Sequence, residues 1–199
     1  MNIFLKAKHW QIFLLSFILP FIIYIIMVVT LVSNFMNMQR GISNAPDTYM
    51  IYRLFTIFPI IILIFMGVLY GWFWSVAVLL QKKVPEGIMM KIKKFKIFFF
   101  YNICYMLLFM SSFFFIFRAI NFVEYIGPSF MLYILPFHFF AMFCSFYMLY
   151  FVAKTFKTVE LQREVKFSDF AGEFFMIWFY PIGIWILQPK INKMIDEEE

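Results

Sequence analysis

Charge is scarce in this sequence. Only 14% of its 199 residues are Asp, Glu, Lys or Arg, against about 25% in an ordinary soluble domain. Hydrophobic residues make up 64% of the chain, and the mean hydropathy is +0.86. These proportions exclude a water-soluble globular domain. They predict an all-α integral membrane protein, because a helix satisfies its backbone hydrogen bonds internally when it crosses lipid.

Cysteine and histidine are also scarce, with two residues of each. Cys104 and Cys144 form no CxxC pair, and the His/Cys spacing typical of a metal site is missing. We therefore expect no metal and no cofactor. The sequence also lacks a glycine-rich phosphate loop, an HExxH pair and a GxSxG elbow. We predict that the protein is not an enzyme.

The sequence contains four long uncharged stretches. A helix needs about 20 apolar residues to cross about 30 Å of hydrocarbon. We predict a bundle of four transmembrane helices near residues 11–33, 55–80, 97–118 and 130–153, within a single membrane domain covering residues 1–199. The first stretch exceeds the h-region of a signal peptide and no small-residue cleavage site follows it, so we expect it to be retained.

Lysine and arginine concentrate on one side of these spans. The N-terminus, the second connection and the stretch after the fourth span carry two, six and four of them, whereas the other side carries three. Because such residues favour the cytoplasmic side, we predict that both termini are cytoplasmic. The Lys-rich and Phe-rich composition fits an AT-rich bacterial genome, so we predict the inner membrane of a bacterium. The positive charge lies on connections and not on a soluble domain, so we expect no nucleic-acid partner.

The second connection is a basic inner loop over residues 81–96. Ile88, Ile92 and Phe95 recur at helical spacing, which predicts an amphipathic helix on the inner leaflet. Its lysines are expected to contact anionic lipid headgroups: Lys82, Lys83, Lys91, Lys93, Lys94 and Lys96. The same lysines fit a simple topology signal equally well.

Residues 168–188 form an apolar segment with a short uncharged core. That core, residues 174–187, would make only about 21 Å of helix. Pro181 predicts a break in the helix just before the proline. We therefore predict an additional interfacial or re-entrant, proline-broken aromatic helix, with a fifth span as an alternative, and a solvated acidic tail over residues 189–199. Three aromatic residues are expected to anchor the segment at headgroup level: Trp178, Tyr180 and Trp185.

A stripe of small residues runs along the second predicted span. Gly67 and Gly71 form a GxxxG motif, and Ser75 follows four residues later. Small residues on one face allow two helix backbones to approach closely. The stripe therefore predicts either helix packing within the chain or docking of a partner or second copy.

Polar residues in the third and fourth spans form a candidate intramembrane polar site: Asn102, His138 and Ser145. An ionisable group at this depth usually faces protein or a water-filled cavity. His138 is expected either to bind a proton or ligand, or to be a neutral residue hydrogen-bonded to Asn102 or a backbone carbonyl.

The predicted spans carry no charged residue away from their ends, which disfavours a pump. The lack of recognisable chemistry, the small-residue stripe and the aromatic surface predict a non-catalytic accessory or interaction subunit of a larger membrane system. Its expected partners are the lipid bilayer with its anionic inner leaflet, and another membrane protein or a second copy. The alternative is a small transporter or channel for an apolar or amphiphilic substrate, with a cavity near Asn102 and His138.

Overall fold

The structure, a computed structural model, describes residues 3–40, 48–118 and 129–196, with side chains described outside residues 48–56, 113–118 and 129–131. Over these ranges the chain is helical and contains no strand, so the all-α prediction is confirmed there. The α-helices in chain order are α1 (Ile3–Lys6), α2 (His9–Phe13), α3 (Leu19–Gln39), α4 (Thr48–Trp74), α5 (Ile92–Arg118), α6 (Ser129–Leu161), α7 (Phe167–Trp178) and α8 (Tyr180–Asp196).

Four helical stretches are long and apolar enough to cross a membrane: His9–Gln39, Ile57–Lys83, Ile92–Ser112 and Leu132–Leu161. They match the four predicted spans in order, which confirms a multi-pass membrane protein. Their ends differ from the predicted ends by up to eight residues, because several helices continue beyond the uncharged core into polar turns. The packing of all four stretches into one bundle stays a prediction.

The chain divides into two compact units, Gln11–Leu69 and a larger one formed by Met1–Trp10 with Tyr70–Glu199. In the smaller unit, a π-helical turn at Leu14–Ile18 precedes Pro20. Proline clashes with the carbonyl four residues before it, and the wider turn, closed by the Leu19 N–H donating to the Leu14 oxygen, relieves that crowding. The single-domain organisation stays a prediction.

Three polar residues of α3 are hydrogen-bonded within their own helix. The hydroxyl groups of Thr30 and Ser33 donate to the carbonyls four residues earlier at 2.6 and 2.9 Å, and the Asn34 amide donates to the Thr30 carbonyl at 3.0 Å. Such local bonds let polar side chains lie in an apolar helix without another helix as partner.

The larger unit has a dense aromatic core. Phe95 of α5 and Phe151 of α6 are both buried, and their rings stack with centres 5.0 Å apart. Trp72 near the end of α4 is buried and meets the Tyr180 ring edge-to-face at 5.6 Å. Aromatic pairs at these distances add to the stabilisation from burial alone. This core therefore ties α5 to α6 and the end of the second span to α8.

The amphipathic helix predicted within the basic loop is absent from the described structure. Residues 88–91 lie outside any helix, and α5 begins at Ile92 and continues into the third span. A turn at Gly87, with φ +91°, follows the 3-10 turn Leu80–Lys83 and leaves too few residues for a separate helix. Phe95 faces the protein core instead of lipid, since it is fully buried.

The aromatic C-terminal segment forms two helices separated at Phe179. Pro181 lies in the first turn of α8, where the N–H that proline lacks has no helical partner in any case. Gly183 approaches α7 so closely that a Cβ atom there would lie 1.9 Å from the Met176 carbonyl oxygen. Residues 189–196, assigned from the sequence to an acidic tail, continue α8.

Candidate functional site

A buried amide holds the N-terminal segment of the chain in place. Gln188 of α8 is fully buried, and its Oε1 accepts a hydrogen bond of 2.7 Å from Trp72 Nε1. The two hydrogens of its Nε2 are shared among the carbonyl oxygens of Phe4, Leu5 and Ala7, which lie at 2.9, 3.2 and 2.8 Å from the nitrogen. Because α1 is a single turn, these carbonyls lack helical partners. We call Gln188, Trp72 and the three carbonyls the N-terminal anchor.

Asn192, one helical turn after Gln188, reinforces this anchor. Its Nδ2 donates to the Leu5 and Ala7 carbonyls at 2.9 and 3.2 Å. The sequence contained a signal for the buried amide, because Gln188 shares a helical face with Ile184 and Ile191, both buried. In the sequence, Gln188 stands directly after the uncharged core of residues 174–187, where a polar residue also fits the end of an apolar segment.

The small-residue stripe is divided between two environments. A Cβ atom at Gly71 would lie 2.4 Å from the Phe4 ring, so this glycine makes room for the N-terminal segment. A Cβ atom at Gly67 would meet nothing within 4 Å. The Ser75 hydroxyl donates to the Gly71 carbonyl within its own helix at 2.8 Å.

Asn102 and Ser145 lie together and are joined by hydrogen bonds. Asn102 Nδ2 donates to the Ser145 hydroxyl at 2.8 Å and to the Ala141 carbonyl at 2.9 Å. Asn102 Oδ1 accepts a bond of 2.9 Å from the Tyr70 hydroxyl. All the donors of the buried amide are thus used. The cluster links the second, third and fourth spans.

His138 lies apart from that cluster and pairs with a residue that sequence reasoning missed. Its Nδ1 lies 2.9 Å from the Tyr105 hydroxyl of α5, and the side chain is exposed. Tyr105 follows Asn102 by three residues, so a helical-face argument from Asn102 could have found it. When the phenol donates to Nδ1, a neutral imidazole carries its proton on Nε2.

Four charged residues form a network at the charged end of α6. Lys157 Nζ contacts Glu160 at 2.6 Å and Glu173 of α7 at 2.8 Å, and Lys190 of α8 contacts Glu160 at 3.0 Å. Glu173 is buried, and a buried carboxylate requires such a partner. The network connects α6, α7 and α8.

Asp169 stabilises the start of α7. Its Oδ2 accepts a bond of 2.9 Å from the Lys166 backbone N–H and one of 3.2 Å from the Arg163 guanidinium. The Arg163 hydrogen bond is the main reason that the pKa of the Asp169 carboxyl lies below its ordinary value. Acidic side chains near a helix N-terminus also interact favourably with the helix dipole.

The lysines of the basic loop differ in their surroundings. Lys94 Nζ lies 4.9 Å from the centre of the Tyr147 ring and 5.4 Å from that of Phe98, and Lys96 Nζ lies 5.7 Å from that of Trp74. These are cation–π distances. Lys83 Nζ donates to the Met194 carbonyl of α8. The exposed members of the group are Lys82, Lys91, Lys93 and Lys94.

The three predicted interfacial aromatic residues differ in their exposure. Trp178 and Trp185 are exposed, at 48% and 46% of their surface. Trp178 contacts Phe146, and Trp185 contacts the His9 ring at 4.7 Å between ring centres. Tyr180 is buried against Trp72. Two of the three side chains therefore have the exposure that a headgroup anchor needs.

No protein family, curated protein or solved structure matches the chain. In the part that the structure describes, no group of three or more His, Cys, Asp or Glu side chains could hold a metal ion. Of the polar arrangements described above, the His138–Tyr105 pair is exposed on two candidate spans, whereas Asn102 is buried.

Proposed function

We propose that this multi-pass membrane protein is a non-catalytic accessory or interaction subunit of a larger membrane system. The observation that carries the proposal is the exposed pair of His138 and Tyr105 on the candidate spans Leu132–Leu161 and Ile92–Ser112. The partner is another membrane protein, which contributes a transmembrane helix with a hydrogen-bond acceptor.

The chemistry of the pair supports contact with protein. Ionisable residues within transmembrane segments usually face a bundle interior or a water-filled cavity, because lipid offers no hydrogen-bond partner. Within the described residues, His138 Nε2 has no hydrogen-bond partner. The surrounding surface is apolar, since Leu135 and Met142, on the same helical face, are also exposed. A helix with one polar group among apolar residues complements this surface.

The packing of Asn102 supports an interaction role over transport. A cavity for substrate was expected near this residue, but both its amide hydrogens and its oxygen are engaged by Ser145, Ala141 and Tyr70. A substrate would have to break those bonds in order to bind there. The amide is better suited to fixing three helices in register.

Sidedness is part of the same proposal. Twelve of the fifteen Lys and Arg residues that flank the predicted spans fall on the side of the two termini, and this bias favours the cytoplasmic face of a bacterial inner membrane. In this arrangement the exposed His138–Tyr105 pair lies on membrane-spanning helices, where another membrane protein can contact it.

The test is purification from the native membrane in a mild detergent, followed by identification of stoichiometric partners. His138→Phe removes the polar contact at similar size, and Tyr133→Phe removes an exposed hydroxyl elsewhere on α6 as the matched control. We expect His138→Phe to lower retention of one membrane protein by about 3- to 30-fold, the range of one interhelical hydrogen bond, and Tyr133→Phe to leave it unchanged. Elution with lipid alone would contradict the proposal.

A further inference from the structure

An exposed apolar surface lies where α7 and α8 meet. Trp178, Phe179 and Ile182 are 48%, 61% and 65% exposed, and we call these three residues the apolar tip. Residues 174–187, which include the tip, carry no charge. Leaving such a surface in water is unfavourable. In a multi-pass membrane protein, lipid acyl chains are the solvent that suits it.

Both helices make their ion pairs at the charged end of α6. Glu173 of α7 contacts Lys157 at 2.8 Å, and Lys190 of α8 contacts Glu160 at 3.0 Å. Lys157 and Glu160 are themselves paired at 2.6 Å. Because the apolar tip lies between Glu173 and Lys190 in the chain, α7 leaves this charged level and α8 returns to it.

The apolar tip lies further along α6, towards the interior of the fourth candidate span. The rings of Trp178 and Phe146 have their centres 4.8 Å apart. Phe146 precedes Lys157 by 11 residues, which is about 16 Å of helix. Phe146 and Phe143 are both exposed on the span Leu132–Leu161. The tip therefore continues the apolar surface of a membrane-spanning helix.

We infer that α7 and α8 form a re-entrant hairpin. It enters the leaflet at the charged end of α6, inserts the apolar tip among the acyl chains and leaves on the same side. This is deeper than the headgroup level predicted for Trp178 from the sequence. A fifth span would carry Lys190 to the opposite side of the membrane from Glu173, whereas both contact the same pair of α6 residues.

The break between the two helices is compatible with this depth. Irregular backbone within a membrane requires internal hydrogen bonds. At the break, the Phe179 N–H donates to the Phe175 carbonyl at 2.9 Å, and the Phe179 carbonyl accepts from the N–H groups of Ile182 and Gly183 at 2.9 and 3.0 Å. The hairpin does not depend on the accessory role, because the His138–Tyr105 pair lies on other helices.

The experiment is electron paramagnetic resonance of the full chain in vesicles of phosphatidylethanolamine and phosphatidylglycerol, with one spin label per protein. The label is attached through Phe179→Cys or Ile182→Cys at the apolar tip. Ser168→Cys near the start of α7 and Lys193→Cys near the end of α8 are the matched controls, because both positions are exposed. Every variant also carries Cys104→Ala, since that cysteine is exposed.

Collisions of the label with oxygen, which concentrates among acyl chains, are compared with those of a water-soluble nickel chelate. We expect oxygen collisions to exceed nickel collisions severalfold at positions 179 and 182, and the reverse at positions 168 and 193. In sealed vesicles of native membrane, an impermeant maleimide should label positions 168 and 193 from the same side.

Three results would overturn the inference. Predominant nickel collisions at the apolar tip would place it in water. Rare collisions with both reagents would show that protein covers the tip. Labelling of positions 168 and 193 from opposite sides would show a fifth span. All four labelled positions are exposed, so the substitutions leave the packed core unchanged.

Discussion

Trp72 Nε1 lies 2.7 Å from Gln188 Oε1, so a residue near the end of α4 is hydrogen-bonded to a residue of α8 that follows 116 positions later. The same glutamine donates to the backbone of the N-terminal segment. One buried amide thereby joins three parts of the chain that lie far apart in sequence. Its loss would affect all three.

Replacing Gln188 tests whether it holds the N-terminal segment. Gln188→Leu leaves the Trp72 N–H without its acceptor and the Phe4 carbonyl without its side-chain donor, whereas Asn192 still donates to the Leu5 and Ala7 carbonyls. Each buried group left unsatisfied costs about 1–3 kcal/mol. We expect faster amide hydrogen exchange over residues 3–7 and a lower melting temperature. Gln188→Glu keeps the acceptor and removes the donors, so it should free the N-terminal segment as well. Unchanged exchange in both variants would show that the carbonyls are held by other groups.

Gly183 and Gly172 form a matched pair for the junction of α7 and α8. An Ala side chain at Gly183 would lie 1.9 Å from the Met176 carbonyl, whereas at Gly172 it would meet nothing within 4 Å. We expect Gly183→Ala to destabilise the protein by about 1–3 kcal/mol, as overpacking does. Gly172→Ala should stabilise it by about 0.5–1 kcal/mol through helix propensity. Thermal unfolding in detergent measures both, and shifts of equal sign would contradict the tight junction.

Gly71 tests the contact with Phe4. An Ala side chain at Gly71 would lie 2.4 Å from the Phe4 ring, which must then move. We expect Gly71→Ala to lower the melting temperature and Phe4→Ala to remove most of that penalty in the double variant, giving a coupling energy of about 0.5–3 kcal/mol. Gly67→Ala serves as the control, because its Cβ meets open space. Additive effects of Gly71→Ala and Phe4→Ala would mean that the two residues do not interact.

The start of α7 should depend on pH through Asp169. Its pKa is lowered from the ordinary value of 3.8, chiefly by the Arg163 hydrogen bond. The carboxylate therefore stabilises the folded protein above that ordinary value, and the stabilisation is lost as pH falls through the lower folded pKa. Amide exchange over residues 167–170 should accelerate in that acidic range, and Asp169→Asn should abolish the dependence. The same acid dependence in Asp169→Asn would assign it to another group.

The spans were predictable and the polar contacts were not, for a physical reason. Uncharged length alone identifies a helix that can cross lipid, and each stretch carries that information locally. The partners of Gln188 lie between 116 and 184 residues away, so only tertiary packing brings them together. The sequence offers Asn102 as one partner for His138, but the Asn102 amide donates to Ser145, and the longer Tyr105 side chain reaches the imidazole.

The amphipathic helix expected in the basic loop was a wrong prediction from a correct pattern. The spacing of Ile92 and Phe95 is genuinely helical, but it belongs to the first turns of α5. Phe95 uses that face to pack against Phe151. Helical periodicity indicates that a residue has an apolar environment, and it does not distinguish a protein core from a lipid surface.

The most direct test of the accessory role is photocrosslinking from the face that carries His138, in the native membrane. A photoreactive residue replaces Leu135 or Met142, both exposed on that face, and Phe175 of α7 in the control. We predict one adduct with a different membrane protein from positions 135 and 142, weakened by His138→Phe and missing at position 175. Adducts with lipid alone or with a second copy from both positions would contradict the account.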